Sequence, residues 1–411
     1  MKKDYSNIEI SQKHVKLRVV AFALAVVVAI GAITYGVTHI GAKEPGWYEV
    51  EANGEASTIR MGRELRFRYQ FSGKSQAINL ELKELREVYT AALKRCGELL
   101  DPVERYSGTV NLAALNQSVG TDLHIDPALL PVLQDALART ERGEGYSLFA
   151  GALYAEWNSI VTLADPQDFD PAVNRDEWAR LMTAQDLGSA PEAFSLTVVD
   201  AERAIVRLDA ADWALQALED MELSGRILDL NLLRDSYLIQ LLASELEEKG
   251  YHKGYLISDS GLLWTLSECD AVAGTLYGLG EEGPVPAATA LLGSGEAFCA
   301  WHAFATEDGA YGWYQIETEA GGTLLRHPYL SADGAISDSV RSVAVKAETP
   351  VEAAYRALLL ISAPDGSAVA ELAGEWPAAW TLADEAGQVH FSETAGEAGF
   401  ADDGGYGWRA A

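Results

Sequence analysis

Many side chains here could do chemistry, but few are spaced to do it together. Cys96, Cys269 and Cys299 lie far apart, with neither a CxxC pair nor a His-rich spacing that would hold a metal. Cys96 continues the apolar series Leu85, Tyr89, Ala92, Leu93 and reads as a core thiol, while a Cys269–Cys299 disulfide stays open. Asp and Glu number 61 against 31 Lys and Arg, yet no spacing singles out a carboxylate pair for glycoside hydrolysis. Trp301, Trp313, Trp376, Trp380 and Trp408 crowd the C-terminal part, and they suit either stacking on carbohydrate or burial in a core. A net charge of −30 disfavours nucleic acid and anionic lipid, and a solvated surface accounts for it without a ligand.

The first segment says where these groups are displayed. Val19 to Ile40 carries no Asp, Glu, Lys or Arg over about 22 residues, the length of a membrane-spanning helix. Lys2, Lys3, Lys13, Lys16 and Arg18 precede it, whereas Lys43 beyond it is offset at once by Glu44. The positive-inside rule then leaves residues 1–18 in the cytoplasm and everything after residue 40 outside. The apolar run is long for a cleaved signal peptide, and Ile40-Gly41-Ala42 makes a poor cleavage site. The expectation is a single-pass cell-membrane protein with an anchor at 19–40, a linker at 41–57, one extracytoplasmic domain at 58–400 and a flexible tail at 401–411.

Within that domain, Leu65 to Phe71 alternates apolar and polar residues, the period of a half-buried strand. Ile78, Leu82, Leu85, Tyr89, Ala92, Cys96 and Leu100 recur at the spacing of one helix face. A second helix is predicted to start at Asp126-Pro127. Phe194–Val199 and Ala204–Leu208 read as a hairpin. A helix from about Asn231 to Lys249 is stopped by Gly250, and Tyr255–Ile257 is the strand after it. Trp313–Glu317 and Ser342–Val345 look like strands, Thr349-Pro350-Val351-Glu352 is a capping box opening a helix through Ile361, and Gln388–Phe391 closes the pattern. Strands and helices mixed without strict alternation argue an α+β fold.

Several segments taken in order resemble the ApbE-like FAD:protein FMN transferases. Met61-Gly62 stands where that family has Met-Gly-Thr, with Arg63 third. Asp101-Pro102 and then Leu115-Asn116 are similar to its Asp-Pro…Leu-Asn stretch, and Gly145-Tyr146-Ser147 through Trp157 resembles Gly-x-Phe-Asp…Leu-Trp, with Ser147 in place of the acid. Its flavin-binding motif, Asp-Leu-Gly-Gly-Ile-Ala-Lys-Gly-Tyr-x-x-Asp, corresponds to Asp229 through Gln240; Asp229, Leu230 and Tyr237 are kept. Ser260-Gly261-Leu262 stands for Gly-Gly-Asn, and His327 through Gly334 for His-Ile-x-Asp-Pro-x-Thr-Gly. Gln388 to Phe391 resembles the family's closing strand.

The resemblance implies a single α+β domain, FAD and Mg²⁺ as cofactors, and a redox flavoprotein of the cell envelope as partner. By position it implies Met61, Asp229, Gly261 and Gly334 at the flavin site and His327 as a catalytic or ligand residue. The losses carry their own physics. Asn231 and Leu232 bring side chains where glycines let N–H groups approach a pyrophosphate. The lysine becomes Asp235, which turns attraction for phosphate into repulsion; Arg234 would compensate only by pointing the same way, and helix neighbours are about 100° apart. In the family's Ala-Asp-Ala-x-x-Thr motif the Asp and Thr supply Mg²⁺ oxygens, and here Ala354 and Leu358 have none, so no metal ligand is assigned. The residues leave three readings: a catalytically degenerate binding or accessory protein, an active transferase with shifted ligands such as Asp259 or Asp333, and an adhesive or assembly domain of the envelope.

Overall fold

The computed structural model describes residues 22, 24–26, 28, 43–54, 65–73, 75–280, 283–306, 312–317, 323–332, 334, 340–363, 379–384, 388–392, 400–402 and 407–410. Among them no helix is long and apolar enough to cross a membrane. The anchor read at 19–40 lies outside the described residues except for Phe22, Leu24, Ala25, Val26 and Val28, which are helical. Contacts divide the chain into one unit of residues 1–46 with 71–83 and a second of 47–70 with 84–411. The second unit carries the sheets and the candidate site, with Gly46 and Phe71 as boundary residues at strand ends.

A nine-stranded sheet runs in the order β1-β2-β6-β7-β10-β13-β14-β15-β17. Its strands are β1 (Gly46–Val50), β2 (Leu65–Phe71), β6 (Gly254–Ser258), β7 (Leu262–Thr265), β10 (Ala297–His302), β13 (Val340–Ala347), β14 (Ala379–Asp384), β15 (Gln388–Phe391) and β17 (Gly407–Ala410). From β2 to β15 the neighbours pair antiparallel, and β15 pairs with β17 in parallel. The alternation in β2 is real: Leu65, Phe67, Tyr69 and Phe71 are buried, and Arg66 and Arg68 face out.

Both faces of the sheet centre are covered. On one, the hairpin of β8 (Val272–Gly280) and β9 (Gly283–Leu292) packs Leu276, Ala288, Ala290 and Leu292 against Leu263, Phe298, Ala300 and Ala344. A helix at Pro350–Ile361 packs on β10 and β13 and also touches the helix at Arg234–Glu248. All six residues of β10 are therefore buried. Thr349 caps that last helix, its hydroxyl accepting the Glu352 N–H at 3.2 Å, as the capping box predicts. A smaller sheet, β3-β5-β4, contains the expected hairpin as β4 (Phe194–Asp200) and β5 (Ile205–Ala210), with β3 at Asp122–His124.

In chain order the helices are α1 (Ser75–Leu99), α2 (Leu112–Asn116), α3 (Leu129–Arg142), α4 (Gly151–Val161), α5 (Arg175–Ser189), α6 (Asp212–Asp220), α7 (Arg234–Glu248) and α8 (Pro350–Ile361). Two expectations need correction. The helix predicted from Asp126 begins at Leu129, because the Asp126 carboxylate accepts the Ala128 N–H at 2.9 Å and forms a separate turn first. The helix predicted from Asn231 begins at Arg234, since Asn231 has a left-handed φ of 42° and Asn231–Leu233 forms a 3₁₀ turn. Near the C-terminus β16 (Phe400–Asp402) pairs with β9 and β17 with β15, and those edges satisfy their backbone groups.

The three cysteines are free and buried, which leaves the Cys269–Cys299 pair unbridged. Burial pushes the Cys269 thiol up to about 12, with Asp270 adding to the shift. Cys96 is a core thiol as expected, 1% exposed and within 3.5 Å of the Glu245 carboxylate.

Candidate functional site

The segment entering α7 is held from behind by one buried amide. Asn116 accepts the Leu228 N–H at 2.8 Å and donates to the Leu228 carbonyl at 3.0 Å and to the Pro102 carbonyl at 3.1 Å. It thus satisfies both backbone groups of Leu228, as a neighbouring strand would, and joins the Asp101-Pro102 corner to this segment. A second buried amide, Asn111, donates to the carbonyls of Glu98, Asp101 and Glu104 and caps α2 through its oxygen. The Asp101-Pro102 and Leu115-Asn116 marks therefore act as a frame that positions Asp229.

Asp229 is the next residue in the chain. Its N–H donates to the Leu148 carbonyl at 3.0 Å, and its carboxylate accepts the Asn231 N–H at 2.7 Å. Burial pushes this carboxyl above the usual range, against the pull of the nearby Arg234 charge. Asn231, at the position of the family's first glycine, keeps a left-handed backbone without being glycine, a conformation that asparagine tolerates best among the other residues.

At the start of α7 the two charged neighbours part company. The Arg234 charge acts on Asp229. The Asp235 carboxylate turns to the β6–β7 connection, where Ser258 and Ser260 donate to the same oxygen at 2.9 and 2.8 Å and their hydroxyls lie 2.7 Å apart. Arg234 Nε is buried without a hydrogen-bond partner among the described residues. Gly261, next in this connection, has a φ of 89°, and a β-carbon there would sit 2.0 Å from the Ala300 carbonyl oxygen. Its carbonyl accepts the Ala300 N–H at 2.9 Å, so the tight turn by itself explains the glycine.

The far side of that turn is aromatic. Trp301 donates its indole N–H to the Ser260 carbonyl at 2.7 Å and stacks on Tyr329, centroids 4.7 Å apart and planes 14° apart. Trp313 meets Tyr329 edge-on and donates to the His302 carbonyl at 2.8 Å. Trp301 is 1% exposed and Tyr329 5%, so this stack faces protein and offers no carbohydrate platform. His302 accepts the Tyr277 N–H at 3.1 Å, and burial lowers its pKa to about 3, which keeps the ring neutral.

Contacts through Trp301 and Tyr329 link the Ser260-Gly261 turn to His327, whereas the hydrogen-bond partners of Asp229 are Leu148 and Asn231. His327, the catalytic candidate, is fully buried; its ring lies 5.4 Å from that of Tyr329, and its carbonyl accepts the Trp157 indole N–H at 3.2 Å. Gly334 has a φ of 74° in a turn whose N–H bonds to the Ser331 carbonyl, and a β-carbon there would meet Gln185 at 2.8 Å. Met61, Arg63 and Asp333 lie outside the described residues, as does Trp376. Asp259 is half exposed and paired with Arg66 at 3.0 Å. Ser258 escaped sequence reasoning, and Ser260 was read only as the counterpart of a glycine, although their i, i+2 spacing at a strand end points both hydroxyls the same way.

Solved structures place this architecture. The ApbE protein of Thermotoga maritima MSB8 matches with a TM-score of 0.58 at 14% identity, over 86% of this chain and 99% of that one. The flavin transferase ApbE of Vibrio cholerae gives 0.56 at 12%, over 81% and 94%. The flavinyl transferase ApbE of Pseudomonas stutzeri gives 0.50 at 12%, over 85% and 93%. The fold is ApbE-like. No protein-family model matches the chain, and no curated protein does.

The sequence resemblance implies Mg²⁺ and a flavin nucleotide, and the residues at the positions it assigns do not supply the expected groups. Ala354 and Leu358 on α8 are 0% and 1% exposed and are packed into the core. Asp235, at the position the resemblance gives to a lysine, is engaged by the Ser258 and Ser260 hydroxyls.

Proposed function

We propose that this chain is a membrane-anchored, extracytoplasmic protein with an ApbE-like scaffold that has lost FMN transfer and acts as a binding or accessory protein for an envelope flavoprotein or redox complex. The observation that carries the loss of catalysis is the face of α8, where two buried hydrocarbon side chains, Ala354 and Leu358, stand at the oxygen-ligand positions. Mg²⁺ is bound through oxygen, and charge developing on a cleaved pyrophosphate needs such a cation or an equivalent cluster of donors. The anchor and its orientation rest on the apolar run at 19–40 and the basic residues before it.

The test is incubation of the full-length protein in detergent with FAD, with and without Mg²⁺, followed by separation of FAD, FMN and AMP. No cleavage above a protein-free control supports the proposal, and Mg²⁺-dependent multiple turnover overturns it. Protease treatment of intact cells reads the orientation: the domain is cut from outside if the assignment holds and protected if it does not.

One observation favours the active-transferase reading. Asn231 has a left-handed backbone of the kind glycine adopts freely, and Asp229 accepts its N–H at 2.7 Å, so this turn is compatible with a glycine-type loop that would cradle a nucleotide. The same cleavage assay decides between the two.

A further inference from the structure

We infer that Asp235 is the specificity-determining residue of this site: an internal anion, held by the Ser258 and Ser260 hydroxyls, that excludes phosphate-bearing nucleotides from the start of α7. The inference deepens the proposed function, on whose reading of this region it rests.

Three observations carry it. First, both serine hydroxyls converge on one carboxylate oxygen at 2.9 and 2.8 Å, so donors that could have met a phosphate are already engaged by the chain itself. Second, the connection that carries them cannot turn away. The Ser260 N–H donates to the Ser258 hydroxyl at 3.2 Å, its carbonyl is held by Trp301 at 2.7 Å, and Gly261 lies against the Ala300 backbone. The Trp301–Tyr329 stack closes the other side of that connection. Third, among the described residues no ion pair or hydrogen bond joins Asp235 to its neighbour Arg234, and the partners of its carboxylate are the two neutral serine hydroxyls. An incoming phosphate would meet a like charge and two hydroxyls whose protons are already committed.

Removing the charge should therefore create affinity, which an unrelated surface acid would not do. The probe is ADP, which carries a pyrophosphate without a flavin, titrated by calorimetry into the full-length protein in detergent. Variants are Asp235→Lys, the nearly isosteric Asp235→Asn, and Asp122→Lys as a charge control, since Asp122 lies on the small β3-β5-β4 sheet, half exposed and paired with Arg207 at 2.7 Å. Wild type and Asp122→Lys should show no saturable binding up to about 1 mM ADP. Asp235→Lys should bind at least about a hundredfold more tightly than that limit, the effect of reversing a unit charge at short range after allowance for solvent screening. Asp235→Asn, which keeps an oxygen for the serines, should gain about tenfold from loss of the charge alone.

Circular dichroism and melting curves show which variants are folded. Folded Asp235→Asn or Asp235→Lys protein without a gain overturns the inference, as does wild-type binding as tight as that of the variants. An equal gain in Asp122→Lys would make the effect one of net charge and overturn it as well. Failure here leaves the FAD cleavage result untouched, because that assay is read on wild type alone.

Discussion

Placing a methyl group on Gly261 probes how rigidly the β6–β7 turn is built into the sheet. The backbone φ of 89° is one that L-residues avoid, at a cost of about 1–2 kcal/mol. The larger strain is steric, because the added β-carbon would lie 2.0 Å from the Ala300 oxygen, and an ordinary contact needs about 1.3 Å more. Ala300 cannot yield easily. Its strand pairs with β13 on one side, Ala300 opposite Ala344, and with β7 on the other, Cys299 opposite Leu262. Its own N–H also bonds to the Gly261 carbonyl at 2.9 Å. Displacing it loses about two backbone hydrogen bonds, each worth about 1 kcal/mol, so Gly261→Ala should cost about 4 kcal/mol in all. For a body of about 350 residues unfolding with about 2 cal/mol/K per residue, that lowers the melting temperature by about 5 °C. Differential scanning calorimetry of wild type and variant reads it directly. A variant melting within about 1 °C of wild type would refute the reasoning and leave the glycine to be explained by a ligand.

Three further outcomes are expected. Asn116→Leu leaves the Leu228 N–H and carbonyl without their partner and should destabilise by about 3–5 kcal/mol, seen as a lower urea midpoint; an unchanged midpoint would mean that the amide is not the clamp. Asn231→Ala should cost about 1–2 kcal/mol through its left-handed backbone while Asn231→Gly is neutral or slightly stabilising, and equal melting of the two variants would contradict this. Asp229→Asn should be more stable than wild type at neutral pH. Burial raises the Asp229 pKa in the folded state, so its ionisation destabilises the fold as pH rises through that value, and the difference should vanish below the unfolded value near 3.8. Denaturation curves from acid to neutral pH check the sign, and a variant less stable at pH 7 than at pH 3 relative to wild type would reverse it.

Local elements were legible because their signals sit within a few residues. The alternation of Leu65–Phe71, the Thr349 cap, the β4–β5 hairpin and the stop at Gly250 all appear near the places predicted for them. The resemblance ordered the longer range: the marks from Asp101 through Gly334 fall on an ApbE-like fold. Other features had no local signature. The β8–β9 hairpin alternates in burial along β8, but its buried positions include Gly274 and Gly278 and its exposed ones Leu279 and Leu291, so no apolar–polar alternation marks it in the sequence, and Phe400–Asp402 and Gly407–Ala410 find their strand partners only at edges distant in the chain.

What the sequence alone offered about the site, through the resemblance, was an expectation of its chemistry: an acid where a lysine would serve phosphate, and hydrocarbon where Mg²⁺ would need oxygen. Tertiary structure decided where those groups point. Asn116 meets Leu228 across 112 positions, Ser260 meets Asp235 across 25, and Trp301 finds Tyr329 by stacking. Hydrogen bonds and ring contacts are short and directional, so a chain position shows which group is available, and only the packed fold brings its partner within reach.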